Sequence, residues 1–212
     1  MIQVIINIIL SYLIGSVSGS IVLGKLRGID IRKMGSGNAG GTNAFRTVGS
    51  MFALGVIIID ILKGVVAVLY ISQFQFINSI TFFSDELLVV CCAIAAVLGH
   101  VYPVYHNFKG GKGAGTLVGI IAVLFPQCIT YALAGWFITL VLTGFVGLST
   151  MVAGIILVMT AYFLNIHLIY FYFSIAMAVF IIFTHRSNIK RMLNGKENQF
   201  KKVMLFKNIF RN

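Results

Sequence analysis

MFALGVIIIDILKGVVAVLYIS, residues 51–72, decides the fold class, because its 22 residues contain only two charges, Asp60 and Lys63. A helix needs about 20 mostly apolar residues to cross the hydrocarbon core of a membrane, so this stretch predicts a transmembrane helix. The chain as a whole is similar, with 59% hydrophobic and 10% charged residues among 212, whereas soluble proteins have about 25% charged residues. The sequence therefore predicts an all-α integral membrane protein.

Other apolar runs accompany this stretch. Hydropathy allows between five and seven transmembrane helices, and we predict about seven. The first run lacks a basic n-region and a cleavage site, so we expect a retained span and not a signal peptide. We expect one membrane-embedded domain over 1–212. The predicted spans are residues 3–23, 51–72, 87–106, 114–126, 128–146, 150–164 and 168–184.

The basic residues lie almost entirely on one predicted side of the membrane. With seven spans, 15 of the 16 Lys and Arg residues fall in segments 24–50, 107–113 and 185–212, and the opposite loop 73–86 has none. By the positive-inside rule the basic side is cytoplasmic, which places the N-terminus outside and the C-terminus inside. The basic end of the chain, 199–212, is predicted to lie at the membrane surface.

Three polar, glycine-rich stretches all fall on the predicted cytoplasmic side. Glycines let backbone N–H groups surround an anion. The Arg guanidinium can donate two parallel hydrogen bonds to a phosphate, whereas the Lys ammonium attracts it as a single positive charge. The stretches therefore predict a phosphate site, which the net charge of +11 also favours. Neither the GxGxxG nor the Walker pattern is met in its required context. The stretches are GSGNAGGTNAFRTVG (35–49), GHVYPVYHNFKGGKGAGT (99–116) and THRSNIKRMLNGKE (184–197).

Two charges and two histidines have more than one interpretation. Asp60 and Lys63 are three residues apart, so they share a helix face and can pair. A structural ion pair and a functional site both remain open, since charges within a span are functional candidates. His100 is interpreted as a packing residue. For His185, which precedes Arg186, we favour a functional role.

The three stretches resemble the signature motifs of the bacterial acyl-phosphate-dependent glycerol-3-phosphate acyltransferases. The resemblance continues through GSVSGSIVLGKLRGIDIRKM (15–34) and DILKG (60–64). It implies a seven-span enzyme of phospholipid biosynthesis in the bacterial cytoplasmic membrane, with its active site facing the cytoplasm. Such an enzyme transfers a fatty acyl group from acyl phosphate to glycerol 3-phosphate, and its products are lysophosphatidic acid and orthophosphate.

The resemblance also assigns site residues and partners. Acyl phosphate and glycerol 3-phosphate are the expected substrates, membrane lipids are expected partners, and the enzyme that supplies acyl phosphate is a candidate partner. No metal, cofactor or nucleic acid is expected. The catalytic residues implied are Ser36, Arg46, Lys112 and His185. The substrate-binding residues implied are Asn38, Thr42, Asn43, Lys109, Gly110, Gly111, Gly113, Arg186 and Asn188.

The chain departs from the family pattern after the fifth predicted span. Gly144 and Gly147 stand where the family usually has Arg and Ser. If that Ser contacts phosphate, Ser149 or Thr150 supplies the hydroxyl here, or the activity is weaker or altered.

The reaction chemistry can also be predicted. No histidine has an Asp after four intervening residues, the pattern that acyl-thioester acyltransferases commonly use as a base. We therefore expect acyl phosphate as donor and negligible use of acyl-CoA. The attacking hydroxyl would lose its proton to a substrate phosphate, and His185 is the candidate if a protein side chain accepts the proton instead. An anion transporter and a non-catalytic protein that binds anionic lipids are the alternatives.

Overall fold

The computed structural model describes residues 1–75, 84–201 and 203–205, and every regular element in these ranges is helical. The all-α prediction is therefore confirmed. The chain forms two compact units, Met1–Leu124 and Phe125–Asn212, which are considered separately. The expectation of a single domain stays a prediction. The predicted loop 73–86 and the basic end 199–212 lie partly outside the described residues.

The described residues of the first unit form six α-helices. A π-turn at Ala67–Ile71 continues the fourth helix, and short 3-10 turns at Ile31–Lys33 and Val104–His106 follow the second and fifth helices. The helices are α1 (Ile2–Gly15), α2 (Gly19–Leu26), α3 (Gly41–Thr47), α4 (Ser50–Val66), α5 (Asp85–Val101) and α6 (Ala114–Leu124).

Glycines let the helices of the first unit approach closely. A Cβ at Gly15 would collide with a backbone carbonyl of α5, and a Cβ at Gly99 would collide with one of α1. Gly64 and Gly119 lie in the same way against the backbones of α6 and α4. Small residues are typical where membrane helices cross at short distance. Substituting any of these four glycines would therefore force the helices of the first unit apart.

In the second unit, the part of the chain that the structure describes forms four helices: α7 (Pro126–Thr143), α8 (Val146–Phe163), α9 (Leu168–Thr184) and α10 (Arg186–Leu193). Pro126 is the first residue of α7, where the missing N–H has no helical partner to lose. Gly144 ends α7 with φ of 72°, and the turn between α8 and α9 holds Asn165 at φ of 49°. These left-handed residues reverse the chain within a few positions.

The helices do not all correspond to full spans. Two predicted spans, 3–23 and 168–184, belong to bent pairs, because α1 and α2 meet at 48° and α9 and α10 at 51°. The predicted span 114–126 is only the 11 residues of α6, about 16 Å at 1.5 Å per residue. The described residues contain four helices long and apolar enough to cross a membrane, or six if each bent pair is one span. The seven-span count and the orientation of the termini stay predictions.

Candidate active site

Asn43 organises the first glycine-rich stretch. Its side chain is buried, and its Oδ1 accepts the backbone N–H of Ser36 at 2.9 Å. Its Nδ2 lies 3.2, 2.9 and 3.1 Å from the carbonyl oxygens of Ile31, Met34 and Asn38. The amide of Asn43 thus holds the whole turn before α3. Sequence reasoning placed Asn43 in the substrate pocket and missed this role in shaping the loop.

Ser36 lies at the exposed tip of this turn. Its neighbours Gly35 and Gly37 have φ of 55° and 73°, a left-handed conformation that only glycine adopts without a steric penalty. Thr42 and Arg46 lie half-buried at opposite ends of α3. The turn therefore exposes the Ser36 hydroxyl on a backbone that the buried Asn43 side chain holds in place.

The second stretch forms a glycine loop that leads into α6. Gly110 and Gly111 donate their N–H groups to the last two carbonyls of α5 at 3.2 and 3.1 Å. Gly113 has φ of 90° and directly precedes the first turn of α6. Lys112 is half-buried within the loop, whereas Lys109 is exposed. The loop thus combines a cation with the N-terminus of a helix, where the first N–H groups have no helical partner.

Arg32 joins the first two stretches within the first unit. Its Nε and Nη2 donate to the two carboxylate oxygens of Asp30 at 3.0 Å each, and its Nη1 lies 3.5 Å from the carbonyl oxygen of His106. The hydrogen bonds from Arg32 lower the pKa of Asp30 below its ordinary value. The turn that carries Ser36 and the loop that carries Lys112 are therefore held to each other.

Asp60 and Lys63, which share one face of α4, form an ion pair with 3.1 Å between Oδ1 and Nζ, so the structural interpretation has direct support and a functional role stays open. Both residues are buried in α4, and the buried imidazole of His100 faces the same carboxylate. His100 packs inside the unit, as predicted. Sequence reasoning nevertheless missed its contact with the pair.

The third stretch lies in the second unit, where α9 bends into α10. His185 is buried at this bend, and its Nδ1 lies 2.8 Å from the carbonyl oxygen of Ile181. A carbonyl can only accept, so Nδ1 carries the proton and the neutral ring has its lone pair on Nε2. The guanidinium of Arg186 lies 4.5 Å from the ring centre of Phe183.

Asn188 has a partner that the sequence did not assign. Its Nδ2 donates to Glu197 Oε1 at 2.9 Å, and Arg191 Nε donates to Glu197 Oε2 at 2.6 Å. The Glu197 side chain is almost fully buried, so Glu197 fixes Asn188 on α10. The signal available in the sequence was that Glu197 is the only acid in a segment rich in Lys and Arg.

Comparisons with known proteins match this chain, including its three glycine-rich stretches, to one family. Residues 5–195 match the family model described as glycerol-3-phosphate acyltransferase. The glycerol-3-phosphate acyltransferase of Bacillus subtilis (strain 168) is 41% identical over 196 residues, which cover 92% of this chain and 96% of the relative. The chain belongs to the glycerol-3-phosphate acyltransferase family.

Further relatives of this acyltransferase support the assignment. The glycerol-3-phosphate acyltransferase of Chlorobium limicola is 37% identical over 220 residues, which cover 89% of this chain and 93% of the relative. Crystal structures of PlsY (YgiH), an integral membrane glycerol 3-phosphate acyltransferase, match with TM-scores of 0.83 and 0.81. Each is 31% identical and covers 93% of this chain and 95% of the matched chain. These structures are the glycerol 3-phosphate form and the lysophosphatidic acid form.

The family assignment decides between the three functions that the sequence left open, an acyltransferase, an anion transporter and a non-catalytic lipid-binding protein. The chain is an integral membrane protein of bacterial type that acylates glycerol 3-phosphate. The family and the structural matches give no support to an anion transporter or to a non-catalytic lipid-binding protein. The donor, the roles of the site residues and the side on which the site lies stay predictions.

The departures of this acyltransferase after α7 have structural consequences. Ser149 and Thr150, the candidates for the missing hydroxyl, each donate to the carbonyl four residues earlier at 2.9 Å. Their protons are therefore used within α8. A Cβ at Gly144 would lie 2.8 Å from Met204 Sδ, and a Cβ at Gly147 would lie 2.7 Å from Asn188 Nδ2. The space beside both glycines is thus filled by residues of the same unit.

Proposed function

We propose that this acyltransferase moves a fatty acyl group from acyl phosphate to glycerol 3-phosphate at the cytoplasmic face of the membrane. The products are lysophosphatidic acid and orthophosphate. One observation carries the choice of donor: the Gly110–Gly113 loop joins a lysine to the start of α6. Backbone N–H groups at a helix N-terminus beside a cation form a site suited to a phosphate group.

Acyl phosphate suits this site better than a thioester. Its leaving group is an anion that Lys112 and the loop can hold both before and after the acyl bond breaks, so the leaving group needs no separate acid. A thioester has a poorer leaving group and commonly requires a histidine base oriented by an acid. No histidine here has an Asp after four intervening residues, which supports acyl phosphate as the donor.

The reaction needs one bond to form and one to break. A hydroxyl oxygen of glycerol 3-phosphate attacks the acyl carbon, and the bond between that carbon and the phosphate oxygen breaks. The hydroxyl proton passes to a phosphate oxygen of the substrate. Among the protein side chains, the candidate for accepting this proton is His185, through the lone pair on Nε2. Most of the acceleration then comes from positioning two anions and stabilising the charge that develops.

The remaining polar residues bind the substrates in this proposal. By resemblance, Ser36, Arg46, His185, Arg186 and Asn188 match the phosphate-binding positions of the family. Asn43 and Glu197 act indirectly, because their hydrogen bonds hold the turn and the helix that carry these residues.

The orientation of the site follows from the charges of the loops. All three glycine-rich stretches belong to segments that together hold 15 of the 16 basic residues. Basic loops remain in the cytoplasm during insertion, which supports a site facing the cytoplasm.

The donor is tested with purified protein, glycerol 3-phosphate and either acyl phosphate or acyl-CoA. We expect lysophosphatidic acid and stoichiometric orthophosphate from acyl phosphate, and negligible product from acyl-CoA, without added metal or nucleotide. The Lys112→Ala variant controls for background acyl transfer. Efficient turnover with acyl-CoA and none with acyl phosphate would refute the proposed donor.

A further inference from the structure

Three ionisable side chains are buried together between the helices of the first unit. Asp60, Lys63 and His100 are each 3% exposed. Asp60 Oδ1 lies 3.1 Å from Lys63 Nζ and 3.6 Å from His100 Nδ1. Pairing offsets the desolvation of Asp60 and Lys63 but does not explain why a third titratable group faces the same carboxylate. His100 Nδ1 has no hydrogen-bond partner among the described residues.

The other edge of the His100 ring supports the glycine loop. A Cβ at Gly111 would collide with His100 Nε2, and a Cβ at Gly110 would collide with the carbonyl oxygen of His100. The N–H of Gly111 donates to that same carbonyl at 3.1 Å. The loop therefore lies directly on His100, and its position depends on where the ring is held.

Asp60 also lies against the start of α6, directly after the loop. A Cβ at Gly115, in the first turn of α6, would lie 3.1 Å from Asp60 Cβ. Lys112 thus sits between two glycines, Gly111 on His100 and Gly115 on Asp60. The backbone on either side of Lys112 is thus packed against His100 and against the Cβ of Asp60, and His100 in turn faces the Asp60 carboxylate.

The buried pair is itself fixed by the break between α1 and α2. Lys63 Nζ donates to the carbonyl oxygen of Val17 at 2.9 Å, and the N–H of Gly19 donates to Asp60 Oδ1 at 3.3 Å. Backbone groups released by a broken helix within a membrane need such partners. The two charges supply them, and in return the side chain of Asp60 is held in one orientation.

We propose that Asp60, Lys63 and His100 are positioning residues that set the geometry of the Gly110–Gly113 loop and thereby its affinity for phosphate. In this proposal the three residues act on the loop and not on the substrate, because each is buried between helices. The inference rests on the proposed phosphate-binding role of the loop. Because small displacements of positioned groups can cost about 10²-fold in rate, disturbing the network weakens the enzyme without removing any group that contacts the substrate.

The test separates positioning from stability. The double variant Asp60→Leu/Lys63→Met removes both charges, so neither is left buried alone, and we expect the protein to accumulate. The control is Asn7→Leu, which removes another buried polar side chain of the same unit, where Asn7 Nδ2 lies 3.3 Å from the carbonyl of Ser72. If the double variant fails to accumulate, His100→Asn, which retains the pair, takes its place.

Two measurements are made on each purified variant. We expect the KM for acyl phosphate to rise by at least about tenfold in the double variant, with the KM for glycerol 3-phosphate changed less than threefold. We also expect faster amide hydrogen exchange in the peptide covering 107–116. Both quantities should stay near wild type in Asn7→Leu.

The outcomes distinguish this inference from the proposed donor. Wild-type KM values and exchange in the double variant would make the cluster merely structural, and equal changes in Asn7→Leu would make the effect non-specific. Either result overturns the inference. If the wild-type protein does not turn over acyl phosphate, the proposed donor fails. Hydrogen exchange at 107–116 then still decides whether the cluster holds the loop.

Discussion

Gly147 gives opposite expectations from family resemblance and from structure. The family usually has Ser at this position, so resemblance alone expects Gly147→Ser to raise activity. The structure leaves no room for the first atom of that side chain, because a Cβ would lie 2.7 Å from Asn188 Nδ2 and 3.0 Å from Asn188 Cβ. Ordinary van der Waals contact begins at 3.4 Å.

The size of the effect follows from what Asn188 would lose. To make room it must rotate and break its bond to the Glu197 carboxylate, and hydrogen bonds to charged groups contribute about 1.5–3 kcal/mol. If it stays, overpacking costs about 1–3 kcal/mol. At 1.4 kcal/mol per factor of ten, the population of the native Asn188 arrangement would fall about 10- to 150-fold by the first route and about 5- to 150-fold by the second.

The assay compares Gly147→Ala, Gly147→Ser and Gly154→Ala by initial rates of glycerol 3-phosphate acylation and by thermal stability. Gly154 is the matched control on the same helix, since its Cβ would meet Ala178 at 3.5 Å or more. We expect both Gly147 variants to lose activity and Gly154→Ala to be neutral or slightly stabilising. Higher activity in Gly147→Ser, or equal behaviour of the two alanine variants, would refute the reasoning.

Three further predictions concern the loops and the topology. Lys112→Ala and Arg46→Ala should each insert into the membrane but lose about 10²–10³ in turnover, as when one donor to a developing charge is removed. The control Lys33→Ala, at an exposed position, should have near-normal turnover. Wild-type turnover in either of the first two variants would contradict the proposed phosphate site. Asn43→Asp should open the first stretch to proteolysis and abolish acylation, because a carboxylate oxygen would face three carbonyl oxygens; an intact, active variant would contradict the role of its amide. A reporter fused to the C-terminus should be cytoplasmic and a tag inserted in 73–86 should be external, and accessibility mapping that finds both on one side would rule out the seven-span topology.

The class of the protein and the location of its polar stretches could be predicted from the sequence. Hydropathy, loop charge and the clustering of glycines with Lys and Arg are local properties, so residues 51–72 indicate a membrane helix without knowledge of any neighbour. The pairing of Asp60 with Lys63 is similarly local, because three residues separate them on one helix face. Residues that act through near neighbours in the chain are therefore visible in the sequence.

Only the tertiary structure decided which distant residues support the site. The contacts of His100 with Asp60 and of Gly147 with Asn188 join positions 40 or more residues apart. Such contacts depend on how closely two helices cross and on the rotation of each about its axis, which hydropathy does not specify. The bend of 48° between α1 and α2 has the same origin. The break falls at Ser16, Val17 and Ser18, inside the predicted span 3–23, and the buried pair of α4 takes up the backbone groups released there.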